Sequence, residues 1–148
     1  MTLRAPTYLD PAAGEVSDLE ATACRFHERQ LEDKSHRIAA LIHEDAEMVL
    51  LSNRLQPLRG RQRIMAALAR GREAEIYHAE VERCELLDDD VLLVIGQARY
   101  ALADNGIGVS RVWWLDEFRD GLLWRVEAFR TEAAARQANA FRRPSLRA

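Results

Sequence analysis

The chain has 148 residues, enough for one domain with one core, and its 48% apolar and 30% charged residues are ordinary for a globular protein. A net charge of −3 supplies no basic field for nucleic acid or an anionic membrane, so neither is expected as a partner. No apolar run approaches the ~20 residues of a bilayer span, and Met1 to Pro11 lacks the apolar stretch of a secretory signal, so a cytoplasmic location is expected.

Residues 1–14 hold Pro6, Pro11 and Gly14 with little periodicity and read as a flexible leader to a single domain over 15–139. Ser17 and Glu20 form an S-x-x-E capping box. Val16, Leu19, Ala23 and Phe26 follow at helical spacing, predicting a first helix from about Ser17 to Gln30. After a polar break at Asp33 to Ser35, the residues Ile38, Leu41 and Ile42 mark a short second helix, and Ala46 to Leu51 a strand. Asn53 to Gly60 reads as a loop. A third helix follows, with Ile64, Ala67 and Leu68 inward and Gly71 where a terminating glycine is expected.

From Ile76 the chain becomes rich in β-formers. Strands are predicted over Ile76 to Leu87, Val91 to Leu102, Val109 to Phe118 and Leu122 to Arg130. Asp88-Asp89-Asp90, Asp104-Asn105-Gly106 and Asp120-Gly121 supply the turns. Thr131 can cap a last helix to about Asn139, leaving 140–148 as a frayed basic tail. Helices first and a meander after is α+β logic, and it predicts a curved antiparallel β-sheet wrapped around the amino-terminal helices.

Alternation along the third of those four strands puts Val112, Trp114, Asp116 and Phe118 on one face. A carboxylate on an otherwise apolar face suits general acid or base work, and it suits a structural ion pair equally well. The register of the last hairpin decides its neighbour. A two-residue turn sets Asp116 opposite Arg125, whereas a three-residue loop with a glycine bulge sets it opposite Trp124. Burial favours the second, which turns Leu122, Trp124, Val126 and Ala128 inward. Gln97 and Arg99 alternate with Leu93 and Ile95 and are expected near the open end of the sheet, where Arg99 could reach Asp116. Trp113 and Leu115 would then form an outer apolar face suited to a homodimer interface. Cys24 and Cys84 match no metal spacing and read as two reduced, buried thiols. His27, His36, His43 and His78 do not group as a metal set, and no glycine-rich phosphate loop is present, so neither metal nor cofactor is expected.

Four segments resemble the SnoaL-like members of the nuclear transport factor 2-like superfamily. They are Phe26 through Met48, with its acidic break before the first strand; Leu58-Arg59-Gly60-Arg61 with Ile64; His78 through Val91; and Trp114 through Arg130, with its Asp-Gly hairpin. The resemblance implies a cone with an internal pocket between sheet and helices, and frequent dimers. It does not imply one activity, because the superfamily spans isomerases, cyclases, dehydratases, epoxide hydrolases, oxygenase β subunits and non-catalytic modules. The tyrosine and carboxylate of the ketosteroid isomerase branch fall on Phe26 and near Leu50, both apolar, so that mechanism is disfavoured. Related members often carry a pocket-facing histidine where His78 stands, and a histidine can move protons near neutral pH. The expected site is therefore His78 and Asp116 as the acid/base pair, with Phe26, Leu50, Gln97, Arg99, Trp114 and Trp124 around a small, partly apolar molecule. The competing expectations are a non-catalytic ligand-binding or dimerisation module, with Asp116 paired off or exposed, and an oxygenase β-subunit-like partner protein.

Overall fold

The computed structural model describes residues 14–29, 35–51, 55–74, 76–101, 104 and 106–147. In chain order the elements are α1 (Gly14–Arg29), α2 (Ser35–Ala39), β1 (Ile42–Val49), β2 (Leu58–Arg59), α3 (Arg61–Ala74), β3 (Ile76–Asp88), β4 (Val91–Ala101), β5 (Ile107–Arg119), β6 (Leu122–Phe129) and α4 (Glu132–Arg147). The α+β prediction holds, with helices packed against one six-stranded sheet in the order β2-β1-β6-β5-β4-β3. The sheet is mixed rather than wholly antiparallel, because β1 runs parallel to β6 and leans on it through Met48↔Val126 and Val49↔Glu127. Between those two strands the chain places β2, α3 and the strands β3 to β5, more than the crossover length that a parallel pair demands.

Several boundaries differ from the sequence reading. Helix α1 starts at Gly14, three residues before the Ser17 box, and α3 runs three residues past Gly71. Ile42 opens β1 instead of closing the second helix. The leader before Gly14 and the break at 30–34 lie outside the described residues, as does Asn105 of the second turn. The supposed tail is helical, since α4 continues to Arg147. Its start is as expected, for the Thr131 hydroxyl accepts a hydrogen bond from the Ala134 amide at 3.1 Å.

Two apolar clusters sit on opposite faces of the sheet. The inner one joins Ala23 and Phe26 of α1, Ile38 of α2 and Ile64 of α3 to Ile42, Met48, Val81, Leu92, Val94, Trp114, Leu123 and Val126. The outer one joins Leu93, Ile95, Leu115 and Phe129 to Ala135 of α4. The apolar outer face around Trp113 and Leu115, expected to seek a second copy, is thus covered at Leu115 by a helix of the same chain.

That helix is also fastened by charge. Arg142 bonds both Glu117 and Glu127, Arg125 bonds Glu127 at 2.6 Å and Glu47 at 2.7 Å, and Glu47 ends the row on Arg59 at 2.9 Å. Arg136 ties the same helix to Glu85 of β3 at 2.7 Å. Burial works to raise the Glu47 carboxyl, but the hydrogen bonds from Arg125 and Arg59 outweigh it and hold it below the usual range. Glu117 goes the other way, because its burial outweighs the pull of Arg142 and Arg125.

The sheet bends where β3 carries an extra residue. Val81 faces Gly96 and Arg83 faces Ile95, leaving Glu82 as the bulge. A Cβ built on Gly96 would stand 2.2 Å from the Glu80 carbonyl oxygen, so only glycine lets the two backbones approach this closely. On the inner side the Val81 amide donates to the Glu28 carboxylate of α1 at 2.9 Å, which anchors the helix at the bend.

Two outcomes are expected. Gly96→Ala should lower stability by about 1–3 kcal/mol in urea unfolding, because backbone rather than a flexible side chain must yield. Acidification should separate the two glutamates. Glu47, with its folded pKa lowered, contributes stability that is complete above about 4.5, its unfolded value, and is lost as pH falls below it. Glu117, with its folded pKa raised, binds a proton more readily when folded and so gains stability as pH falls through that raised value. Unfolding midpoints measured between about pH 3 and 7 should therefore fall less steeply on the acid side for Glu47→Gln than for wild type, and more steeply for Glu117→Gln.

Candidate functional site

Helix α1 packs its Ala23 and Phe26 stripe on the sheet, and His27, four residues after Ala23, falls on the same side. The imidazole is buried, with 1% of its surface exposed. Its Nε2–H donates to Oδ2 of Asp116 on β5 at 2.8 Å. Asp116 is wholly enclosed at 0% exposure, and its second oxygen, Oδ1, has no hydrogen-bond partner among the described residues. Trp114, two residues earlier on the same strand face, lies against the His27 ring with centroids 4.3 Å apart. Phe26 meets the same ring edge-on at 5.0 Å. A buried carboxylate held by one histidine is therefore framed by two aromatic rings.

The hairpin places Asp116 by a route that neither sequence alternative contained. Asp120 and Gly121 form a two-residue turn with φ of 55° and 78°, the positive pair of a type I′ hairpin. The register slips one residue further on, between Glu117↔Arg125 and Phe118↔Leu123, so that Trp124 is the extra residue. Asp116 then faces Val126, not Arg125 or Trp124. The bulge turns Leu123 into the inner core and leaves Trp124 half-buried under the Arg119 guanidinium at 3.9 Å.

The other expected residues do not gather around Asp116. Gln97 and Arg99 follow Leu93 and Ile95 along the outer face, and Gln97 donates to Glu82 at 2.9 Å. Asp116 pairs with Leu92 and Arg99 with Val109, seven residues along β4, or about 23 Å. The Arg99–Asp116 pair is corrected on both counts, distance and face. Leu50 is half-buried just beyond β1 and packs on the inner core. His78 pairs with Arg99 in the β3–β4 ladder, and its side chain lies outside the described residues. Of the expected residues, Asp116, Trp114 and Phe26 come together, and the histidine that meets them is His27. The signal for it was present, since His27 continues the Leu19–Ala23 stripe at four-residue steps.

Between α1, α3, β1 and β6 lies a cavity of about 10 Å³, lined by Phe26, Ile42, Met48, Ile64, Leu123 and Val126 among others. That is room for one water molecule. It adjoins the pair through Phe26, the neighbour of His27, and Val126, the cross-strand partner of Asp116. Among the described residues no three His, Cys, Asp or Glu side chains form a group that could hold a metal ion.

No protein-family model and no curated protein matches the chain. Solved structures do. Bal32a, from a soil-derived mobile gene cassette, superposes with a TM-score of 0.67 at 18% identity, covering 78% of this chain and 90% of that one. A candidate polyketide cyclase from Xanthomonas campestris pv. campestris gives 0.65 at 12% identity, over 81% and 95%. A candidate SnoaL-like polyketide cyclase from Jannaschia sp. CCS1 gives 0.63 at 18% identity, over 82% and 90%. The chain has the nuclear transport factor 2-like fold. At these identities the likeness carries the cone architecture of that fold and not a reaction. Within the nuclear transport factor 2-like cone of this chain, His27 and Asp116 span the interior from helix to sheet.

The pair can be weighed by a double-mutant cycle. His27→Phe should cost about 3–5 kcal/mol, because it leaves both Asp116 oxygens buried without a donor. His27→Phe with Asp116→Leu should recover much of that loss, and chemical unfolding of the two variants beside wild type checks it.

Proposed function

We propose that the chain is a small-molecule enzyme of the general acid–base kind, in which Asp116 moves a proton at a carbon beside a carbonyl and His27 steadies the charge. The observation that carries this reading is the fully buried Oδ1 of Asp116, which has no hydrogen-bond partner among the described residues. A native interior seldom leaves a carboxylate oxygen without a donor, and catalytic use is one of the few reasons to keep one. Oδ2 is held by His27, so Oδ1 is the atom left free to take a proton. Trp114 against the imidazole holds the ring in place beside the carboxylate. Flanking apolar walls suit a partly apolar substrate, and the chemistry is that of isomerisation, dehydration or aldol cyclisation. The description of structural neighbours as candidate polyketide cyclases is compatible with that class. The site is closed, so turnover on this reading requires α1 to lift from the sheet or the side chains around the small cavity to turn.

A second reading has its own support. The pair is shut away from water beside a cavity of about 10 Å³, as a non-catalytic binding or dimerisation module would allow. The two readings part on one measurement. Small β-dicarbonyl compounds are incubated with the protein in heavy water, and exchange at the acidic carbon is followed by proton NMR. Acid–base catalysis predicts exchange at about 10²-fold or more above buffer, abolished in Asp116→Asn and reduced in His27→Gln. Wild-type exchange at the buffer rate, with both variants folded, would overturn the enzymatic reading.

A further inference from the structure

Two thiols meet beside the site. Cys24 stands on α1 one turn before His27, and Glu28, four residues after Cys24 and on its side of the helix, is bonded to the Val81 amide at 2.9 Å. That bond holds the helix against β3. Cys84 lies three residues further along β3, opposite Val94, so it too faces the inner core. Cys24 belongs to the inner cluster, Cys84 packs against it, and the two side chains are hydrogen-bonded to each other. Both are reduced thiols, Cys24 buried and Cys84 half-buried.

We propose that Cys24 and Cys84 are an oxidisable pair, and that a peroxide converts them to a disulfide fastening α1 to β3. The half-buried Cys84 sulfur attacks a peroxide oxygen, the O–O bond breaks, and a sulfenic acid and water form. Cys24 then attacks the Cys84 sulfur, the S–O bond breaks, and a second water leaves. Two thiols and one hydrogen peroxide thus give one disulfide and two waters, with sulfur oxidised by two electrons and peroxide reduced by two. The hydrogen bond between the two side chains and their shared facing bring the sulfurs beside one another, which a bridge needs first.

The surroundings set the rate. The Cys84 thiol is pushed well above its ordinary range, first by the hydrogen bond with Cys24, then by burial, and then by the negative Asp116 and Glu20. Little thiolate is present near neutrality, so the pair resists mild oxidants and reacts slowly. Once made, the bridge closes the loop from 24 to 84 around the whole of β1 and α3, and α1 can no longer swing from the sheet.

The test uses the full-length wild-type protein, fully reduced and then exposed under native conditions to hydrogen peroxide. Expected are the loss of both titratable thiols, an intact mass lower by two hydrogens, and a non-reduced peptide joining residue 24 to residue 84. The thermal midpoint should rise by about 5 °C or more and return on adding dithiothreitol. Asp116→Asn should shorten the half-time of bridging severalfold, because it removes a negative charge acting on Cys84. Cys84→Ser should keep its remaining thiol and show no rise in midpoint. Oxygen added at Cys84 alone, bridges formed only between molecules, or two thiols that stay free after global protection is confirmed by hydrogen exchange would each overturn the proposal.

Discussion

The contact on which the interior turns is the one between His27 and Asp116, a polar tie 2.8 Å long inside an apolar layer. Among the described residues it is the only hydrogen-bonded side-chain pair that crosses from α1 to the sheet with both ends below 2% exposure. Apolar packing alone would let α1 slide or rotate over the sheet by small steps, since dispersion is non-directional. A hydrogen bond with a single good geometry fixes that freedom, and Trp114 stacking against the ring fixes the imidazole plane. The neighbouring Glu28–Val81 bond adds a second fixed point, so the helix is pinned at two successive residues to two different strands.

Those fixed points exist because the sheet curves toward the helix. The extra residue Glu82 bends β3, Gly96 allows β4 to lie close beneath it, and the slip at Trp124 twists β6 near the same end of β5 that carries Asp116. With its neighbour β1 running parallel, β6 is held from both sides, which makes Val126 a stable floor opposite Asp116. The curvature that makes a cone and the placement of the carboxylate are therefore products of the same two bulges.

Much of this was legible in the residues. The four long strands, the three early helices and the Asp120-Gly121 turn follow from period, composition and turn chemistry, and Asp116 was marked by its place between Trp114 and Phe118. What period could not supply was the slip at Trp124, because a bulge is decided by which of Leu123 and Trp124 packs better inside, a tertiary choice. The parallel β1–β6 pairing is likewise non-local. His27 was within reach of the helical stripe, but as a polar residue its burial is explicable only once Asp116 is known to stand opposite. Gln97 and Arg99 were misplaced because alternation says which residues share a face and not which face is inner; Leu93 and Ile95, their companions, belong to the outer cluster.

Strand β5 offers its own control on what Asp116 is for. The next residue, Glu117, is also a buried carboxylate, turned to the opposite face. There the chain supplies two guanidinium groups, from Arg142 and Arg125, and Glu117 sits at the centre of a chain of charges that holds α4 down. Arginine is the usual answer to a buried carboxylate, since its planar fork can satisfy both oxygens and never loses its charge. One residue away, on the inner face, the same strand gives Asp116 a single histidine, and its other oxygen has no partner among the described residues. Replacing such a pair with packed apolar side chains is often neutral or stabilising, so stability does not call for it. A titratable partner, and an oxygen without one among the described residues, are instead what the proposed proton transfer needs, and the contrast between adjacent positions 116 and 117 supports seeking that chemistry on the inner face.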